Sequence, residues 1–159
     1  MAQDHTRVTA TDKWIAGLLK NRTLMRLPVP LYRAGFGFLF GKRLVMIEHL
    51  GRSSGEQRFA VVECVDHRGP LVRVASGLGA HTQWYRNIAA NGVAFISIGR
   101  LRRVPAEARL LSREESDAAL REYGAAHPAA WKHLEAAMSY AAGGEADIRI
   151  IDFTLANRA

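Results

Sequence analysis

Three short segments carry residues able to hold an anion. The first is Gly51-Arg52-Ser53-Ser54-Gly55, with Arg58 three positions beyond it. A glycine-bounded turn exposes backbone N–H groups, and two hydroxyls and two guanidinium groups stand beside them. Arginine grips phosphate oxygens in pairs, and successive turn amides form an anion nest. The same residues would also serve as a polar hairpin turn with solvated arginines. The second segment is Ala75-Ser76-Gly77-Leu78-Gly79. Its small residues allow close approach to the backbone just before a helix N-terminus, which favours negative charge; an ordinary strand-to-helix loop has the same composition. The third is Gln83-Trp84-Tyr85-Arg86-Asn87-Ile88-Ala89-Ala90-Asn91. Ile88 lies four residues from Trp84, so the two share a helix face. That spacing makes Trp84 a core anchor and leaves Tyr85 and Asn87 freer to reach outward.

Other chemistries find little support. Histidines stand at positions 5, 49, 67, 81, 127 and 133, and no pair has the spacing of a helical or finger-type zinc site, so no metal is expected. Cys64 lies in an apolar run and reads as a buried small hydrophobe. As the lone cysteine it has no disulfide partner within the chain. There is no G-x-S-x-G elbow. The glycines between Gly35 and Gly41 have neither phosphate-loop nor dinucleotide spacing and read as bends among aromatic residues.

The elements that must position these segments are mostly strands. Leu44 to Leu50, Arg58 to Val65 and Leu71 to Ser76 read as a β-meander, with turns at Gly51–Gly55 and Asp66–Pro70. A helix is expected from about Thr82 to Ala90, stopped by Asn91-Gly92. Strands then follow at Val93 to Ile98 and Leu101 to Leu110. Ser112 with Glu115 forms a capping box for the next helix, and Pro128 restarts a second one to about Tyr140. Ile148 to Leu155 is the last strand. Near the N-terminus, Asp12 caps a helix from Lys13, and Pro28 and Pro30 end it. Without regular βαβ alternation, a parallel sheet is disfavoured and an antiparallel barrel with helical decorations fits.

The 159 residues suit one domain, read as 13–159 behind a flexible 1–12. A balance of 22 Lys plus Arg against 15 Asp plus Glu gives a net charge of +7, which attracts anions without choosing among them. The arginines are dispersed and no nucleic-acid motif is present, so no nucleic acid is expected as partner. No apolar leader segment is evident, and the longest apolar stretch, Ala34 to Phe40, falls far short of the roughly 20 residues of a membrane span. The chain therefore reads as cytoplasmic. Phe36, Phe38, Leu39 and Phe40, flanked by Arg33, Lys42 and Arg43, would either cover a barrel end or dock on an anionic membrane surface.

In this order the three segments resemble the deazaflavin (coenzyme F420)-dependent nitroreductase family, also grouped as quinone reductase-like. Its pattern runs G-R-[KR]-[ST]-G, an arginine near the start of the next strand, A-S-x-G-G, and a W-Y-x-N-L-x-A-N helix. Gly51-Arg52-Ser53-Ser54-Gly55, Arg58, Ala75-Ser76-Gly77-Leu78-Gly79 and Trp84 to Asn91 occupy those places. The likeness extends over roughly Leu44 to Leu155, and the Trp84–Asn91 segment is its most specific part. Ser53 and Gly77 stand where the family commonly carries basic residues, and Val61 replaces a common proline.

The resemblance implies an α+β fold: a mainly antiparallel split β-barrel, like the FMN-binding split barrels, of about six strands with an N-terminal helix and inserted helices. It implies hydride transfer from reduced F420, with FMN the lesser alternative, to an electron-poor small molecule such as a quinone, an enone or a nitro-compound. The rival on the same fold is a non-enzymatic module for a flavin, haem or lipid. In the family arrangement Arg52, Ser53, Ser54 and Arg58 would hold the phosphate-bearing tail. Phe59, Ala60, Val61 and Val62 would line the ring system, Ala75, Ser76 and Gly77 would close on the phosphate or ribityl chain, and Gln83, Trp84, Tyr85 and Asn87 would form the opposite wall. Tyr85, Tyr123 and Tyr140 are candidates, unranked, to donate a proton or orient the acceptor. Trp131 would pack between helices or cap the pocket. The oligomeric state stays open.

Overall fold

A computed structural model describes residues 28–129, 131–132, 135–136, 143 and 147–157. Six strands form a closed barrel: β1 (Leu44–Leu50), β2 (Gln57–Arg68), β3 (Leu71–Ser76), β4 (Val93–Ile98), β5 (Leu101–Leu110) and β6 (Arg149–Leu155). Around the barrel the order is β1-β2-β3-β6-β5-β4, with β4 closing on β1. Every neighbouring pair is antiparallel. The expected antiparallel barrel with inserted helices is thus the observed one.

Period-two alternation builds the interior. Val45 and Ile47, Val62, Val72 and Val74, Ile96, Val104, Ile151 and Phe153 all point inward and pack as one cluster. Two outer clusters flank it. Helix α1 (Pro28–Arg33) lays Val29 and Tyr32 over Met46 and Val61. Helix α2 (Gln83–Asn91) plugs one end of the barrel, sending Tyr85 and Ile88 into the inner cluster. Helix α3 (Arg113–Ala126) packs Ala119 and Leu120 against Ala75, Ile148 and Ile150. It starts as the capping box predicts: Ser112 Oγ accepts from the Glu115 amide at 3.1 Å, and Glu115 Oε2 accepts from the Ser112 amide at 2.8 Å.

Several expectations are corrected. Asp66, His67 and Arg68 belong to β2, not to the turn, which tightens to Gly69-Pro70. A bulge between Cys64 and Asp66 lets the strand carry its polar end onward, paired with Val72 and Leu71. Pro28 and Pro30 stand in the first turn of α1, which needs no intrahelical N–H donor. Cys64 is half-buried; its Sγ donates to the Asp66 carbonyl at 3.3 Å, and burial pushes its pKa up to about 11. The bends among aromatic residues hold: a Cβ at Gly37 would lie 2.3 Å from the Tyr32 ring. The expected helix from Lys13 and the flexible 1–12 lie outside the described residues. In the second helical insert, Pro128, Ala129, Trp131, Lys132, Glu135 and Ala136 are helical, while Tyr140 lies outside the described residues.

Among the described residues, two buried carboxylates are held in two-contact arginine bridges. Arg73 and Asp152 face each other across β3 and β6 with contacts of 2.6 and 2.9 Å. Glu48 on β1 receives both contacts from Arg103 at 2.7 Å, together with one from Gln57. Such paired, charge-assisted contacts hold the Glu48 carboxyl below the usual range.

Candidate functional site

Helix α2 is the post on which the anion-binding segments are mounted. The Gly51–Gly55 turn leaves β1 beside it. The Arg52 backbone N–H donates to Asn87 Oδ1 at 3.1 Å, and the Arg52 guanidinium donates through Nη1 to the same oxygen at 2.9 Å and to Gln83 Oε1 at 3.0 Å. At the other end of α2, Asn91 Nδ2 donates to the Leu50 carbonyl at 2.9 Å. The turn is closed internally: Gly55 N–H donates to the Gly51 carbonyl, and Ser54 Oγ accepts from the Glu56 amide. A Cβ at Gly51 would lie 2.5 Å from Ser54 Oγ, so glycine there permits the tuck.

The amide of Asn87 is almost wholly buried, and so is His49 beneath it. Asn87 Nδ2 lies 3.3 Å from His49 Nδ1. With both Arg52 donors on its oxygen, Asn87 must present its NH2 to His49, which fixes Nδ1 as an acceptor and the ring as neutral. Burial, reinforced by the nearby Arg58 charge, pushes the His49 pKa down to about 4. The chain His49–Asn87–Arg52 therefore holds a guanidinium by neutral groups. Among the described residues, no carboxylate takes part in those contacts. Arg58, half-exposed, differs: its Nη2 lies 2.7 Å from the Glu56 carboxylate. Ser53 is exposed at the turn tip.

The Ala75–Gly79 loop reaches the start of the same helix. Ser76 is buried, and its Oγ donates to the Gly79 carbonyl at 2.7 Å and sits 3.2 Å from Thr82 Oγ1. Gly79 has φ +78°, and a Cβ there would come within 2.8 Å of the Asp147 carbonyl. Gly77 is half-buried between them. Ser76 thus serves the loop's own closure, and Ala75 packs outward under α3.

On β2 the four ring-lining candidates divide by strand parity. Ala60 and Val62 face the barrel interior. Val61 faces α1, and Phe59 lies under the Arg33 guanidinium at 5.0 Å. Next to Phe59 a cleft of about 410 Å³ opens on the outer face, lined among others by Tyr32, Glu48, Gln57, Arg102 and Arg103.

The third segment is corrected in part. Tyr85 and Asn87 do not reach outward: both are buried, whereas Trp84 is only half-buried, edge-on to Tyr85 at 6.1 Å. The buried stripe of α2 is centred on Tyr85 and Ile88, three residues apart, one position round from the Trp84–Ile88 face. Of the three tyrosines, Tyr85 is enclosed by the inner cluster. Tyr123 on α3 donates to Glu63 Oε1 at 3.1 Å, and burial pushes its pKa up to about 12. Trp131 packs edge-on to Tyr123 against the α3 cluster, the reading between helices. Sequence reasoning missed His49 and Glu63. His49 shares strand parity with Val45 and Ile47, so period two places it on the inner face, where a polar ring requires a partner. Among the described residues, no group of three or more His, Cys, Asp or Glu is placed to hold a metal.

Comparison with known proteins identifies the lineage of this geometry. Residues 24–148 match the family model of the F420H(2)-dependent quinone reductases. The Mycobacterium tuberculosis protein Rv3178, assigned by name to the F420H(2)-dependent quinone reductases, is 36% identical over 85 residues, which span 52% of this chain and 71% of that protein. Among solved structures, the Agrobacterium tumefaciens protein Atu2129, of unknown function, is similar with a TM-score of 0.52 at 14% identity, over 83% of this chain and 56% of that one. An F420-H2 dependent reductase, FDR-A, aligns with a TM-score of 0.46 at 21% identity, over 70% and 95%. The chain belongs to the F420H(2)-dependent quinone reductase family, and it is an oxidoreductase that passes a hydride from reduced F420 to an electron-poor acceptor.

Proposed function

We propose that this chain binds F420 with the phosphate-bearing tail against Arg52, Ser53, Ser54 and Arg58, and that its acceptor is a quinone. The observation that carries this is Arg52, held in place by the neutral oxygens of Asn87 and Gln83. A cation that, among the described residues, is positioned by neutral groups is suited to meet an anion. The turn fits a phosphate: two guanidinium groups and the Ser53 hydroxyl sit at its exposed rim. When bound, the reduced deazaflavin supplies the hydride. The protein's share is to grip the tail, to wall the ring along β2 and the Ala75–Gly77 loop, and to bring a proton to the acceptor oxygen. The preference for F420 over FMN rests on the family, since both carry a phosphate ester that this turn would accept. Titration with F420, followed by tryptophan fluorescence, is expected to give saturable binding that weakens as salt rises. No saturable change up to about tens of micromolar would sink the proposal. FMN titrated in parallel is expected to bind more weakly.

A second reading concerns where the quinone is met. Phe36, Phe38 and Leu39 are exposed at 50%, 50% and 65%, and the exposed Arg33, Lys42 and Arg43 flank them in the chain. An exposed apolar segment flanked by cations suits the surface of an anionic membrane. Among the described residues no helix is long and apolar enough to cross one. Co-sedimentation with vesicles containing phosphatidylglycerol is expected for the native chain and reduced for Phe38→Ser with Leu39→Ser. Equal sedimentation of the two proteins removes this reading.

A further inference from the structure

We propose that the cleft beside Phe59 is the acceptor pocket, and that it selects an acceptor whose aromatic ring carries an acidic group: a carboxylate, a sulfonate or a phosphate. The inference rests on the proposed placement of F420 along β2 and names the acceptor class that this placement serves.

The cleft owes its lining to a break in strand parity. Along a regular strand successive side chains point to opposite faces, so Arg102 and Arg103 belong on opposite sides of β5. Ile96 pairs with Val104 and Ile98 with Leu101, which leaves Ser97 alone opposite both arginines. Two residues set against one form a bulge, which re-aims side chains. Here Arg102, Arg103 and Ser97 all line the one cleft. Arg103 takes the strained step: with φ 45° it is, among the described residues, the one non-glycine residue at positive φ. Backbone outliers of this kind cluster at ligand sites. The Arg103 backbone N–H donates to Ser97 Oγ at 3.0 Å, and its guanidinium lies 4.5 Å from the Phe95 ring centroid. The Arg102 guanidinium packs on Gly35, where a Cβ would come within 3.0 Å of its Cζ.

The chemistry of the lining is that of an anion site with apolar walls. Three guanidinium groups, those of Arg33, Arg102 and Arg103, stand against one carboxylate, that of Glu48. Glu48 is already met by Arg103 and Gln57. A neighbouring cleft of about 340 Å³ shares Tyr32, Ser97 and Arg102 and adds Arg100, so the cationic surface continues past the bulge. Tyr32, Met46 and Phe59 give the first cleft its apolar surface. Its volume of about 410 Å³ lies in the range of small-molecule sites. An aromatic ring would lie on the apolar wall, and an oxyanion on that ring would meet the arginines.

The position suits an acceptor. Phe59 pairs with Glu48 and Val61 with Met46 across β1 and β2. Phe59 and Met46 line the cleft, and Val61 packs in the same outer cluster. The cleft therefore adjoins the strip proposed to wall the deazaflavin ring. None of Arg52, Ser53, Ser54 and Arg58 lines it, so the grip on the cofactor's tail is a separate site.

Naphthalenesulfonate, which accepts no hydride, is the binding probe, with naphthalenemethanol as its uncharged partner. In calorimetric titration of the native chain without F420, the sulfonate is expected to bind on the order of tenfold more tightly than the alcohol. Arg102→Gln is expected to remove that difference, and Arg33→Gln, an exposed position on α1, to reduce it. F420 affinity by fluorescence is expected to stay within about twofold in both variants. With F420 loaded, Arg102→Gln is expected to lower the preference for a naphthoquinone sulfonate over naphthoquinone, as a ratio of kcat/KM, about tenfold. Equal native affinity for the two probes overturns the inference. So does a sulfonate affinity unchanged in both variants, an unchanged quinone preference, or displacement of the sulfonate by F420, which would make the cleft part of the cofactor's own site. A native chain that binds the sulfonate but not F420 overturns the proposed function, and the acceptor role with it, by a result that none of the other failures gives.

Discussion

Replacing Asn87 with leucine is expected to weaken F420 binding on the order of 10- to 100-fold and to cost about 2–4 kcal/mol of stability. Asn87 is 4% exposed and holds three groups at once: the Arg52 backbone N–H, the Arg52 guanidinium and His49 Nδ1. Leucine has nearly the same volume but offers none of them a partner. Each buried polar group left unmatched costs about 1–3 kcal/mol, which sets the loss of stability. The loss of affinity has a different origin. The Arg52 guanidinium keeps its charge but not its position, and a charge-assisted hydrogen bond is worth about 1.5–3 kcal/mol only when the donor is already aimed. Asn87→Asp separates the two effects. It keeps the acceptor oxygens and so holds Arg52 in place, but it adds the counter-charge that asparagine withholds. Its fluorescence titration is therefore expected to show weak F420 binding while urea unfolding shows a smaller loss of stability than leucine causes. If the leucine variant binds F420 with native affinity, Arg52 is not the tail's anchor.

The barrel was legible because short apolar strands are separated by turns marked by glycine and lack regular βαβ alternation. The capping box at Ser112 and Glu115 is equally local and appears in the structure as the sequence implies. Features that depend on a partner distant in sequence were not legible. Asp66, His67 and Arg68 look like turn residues, yet they pair with β3 because a bulge resets the register ahead of them. The chemical types in the cradle were readable, but their division of labour was not. Arg52 and Asn87 are 35 residues apart, and nothing in either segment shows that one side chain exists to hold the other. Gln83 and Asn87 read as residues of a wall beside the cofactor, and neither segment shows that their oxygens accept from Arg52. The burial of Tyr85 was missed because the Trp84–Ile88 spacing suggested a face one residue away from the buried one. Glu63 gave no local signal, since an acidic residue at an outward strand position is ordinary until Tyr123, 60 residues later, is seen to reach it.

Acid is expected to remove about 3 kcal/mol of stability through His49 alone. Its pKa falls from 6.5 to about 4 in the folded protein, chiefly through burial. Between those values the unfolded chain binds a proton that the native state refuses, so stability rises with pH in that window. The contribution is fully present above about pH 6.5 and is lost as pH falls toward 4, at about 1.4 kcal/mol per unit. Other groups titrate in the same range: Glu48 is lowered by its arginine bridge and Glu63 is raised by burial. The comparison that isolates the histidine is therefore the difference between the native chain and His49→Gln, whose amide oxygen can still accept from Asn87. Urea unfolding at pH 7 and at pH 4 is expected to show a steep loss for the native chain and a shallower one for the glutamine variant, the gap closing on about 3 kcal/mol. Parallel slopes would mean that His49 is not buried neutral. The same titration bears on the cradle, because a protonated Nδ1 would present a donor to the Asn87 NH2. Relieving that clash by turning the amide over takes its oxygen from Arg52. F420 affinity is thus expected to fall with the same acid transition in the native chain and to persist in His49→Gln, which couples the anchor of the tail to the neutrality of a ring buried beneath it.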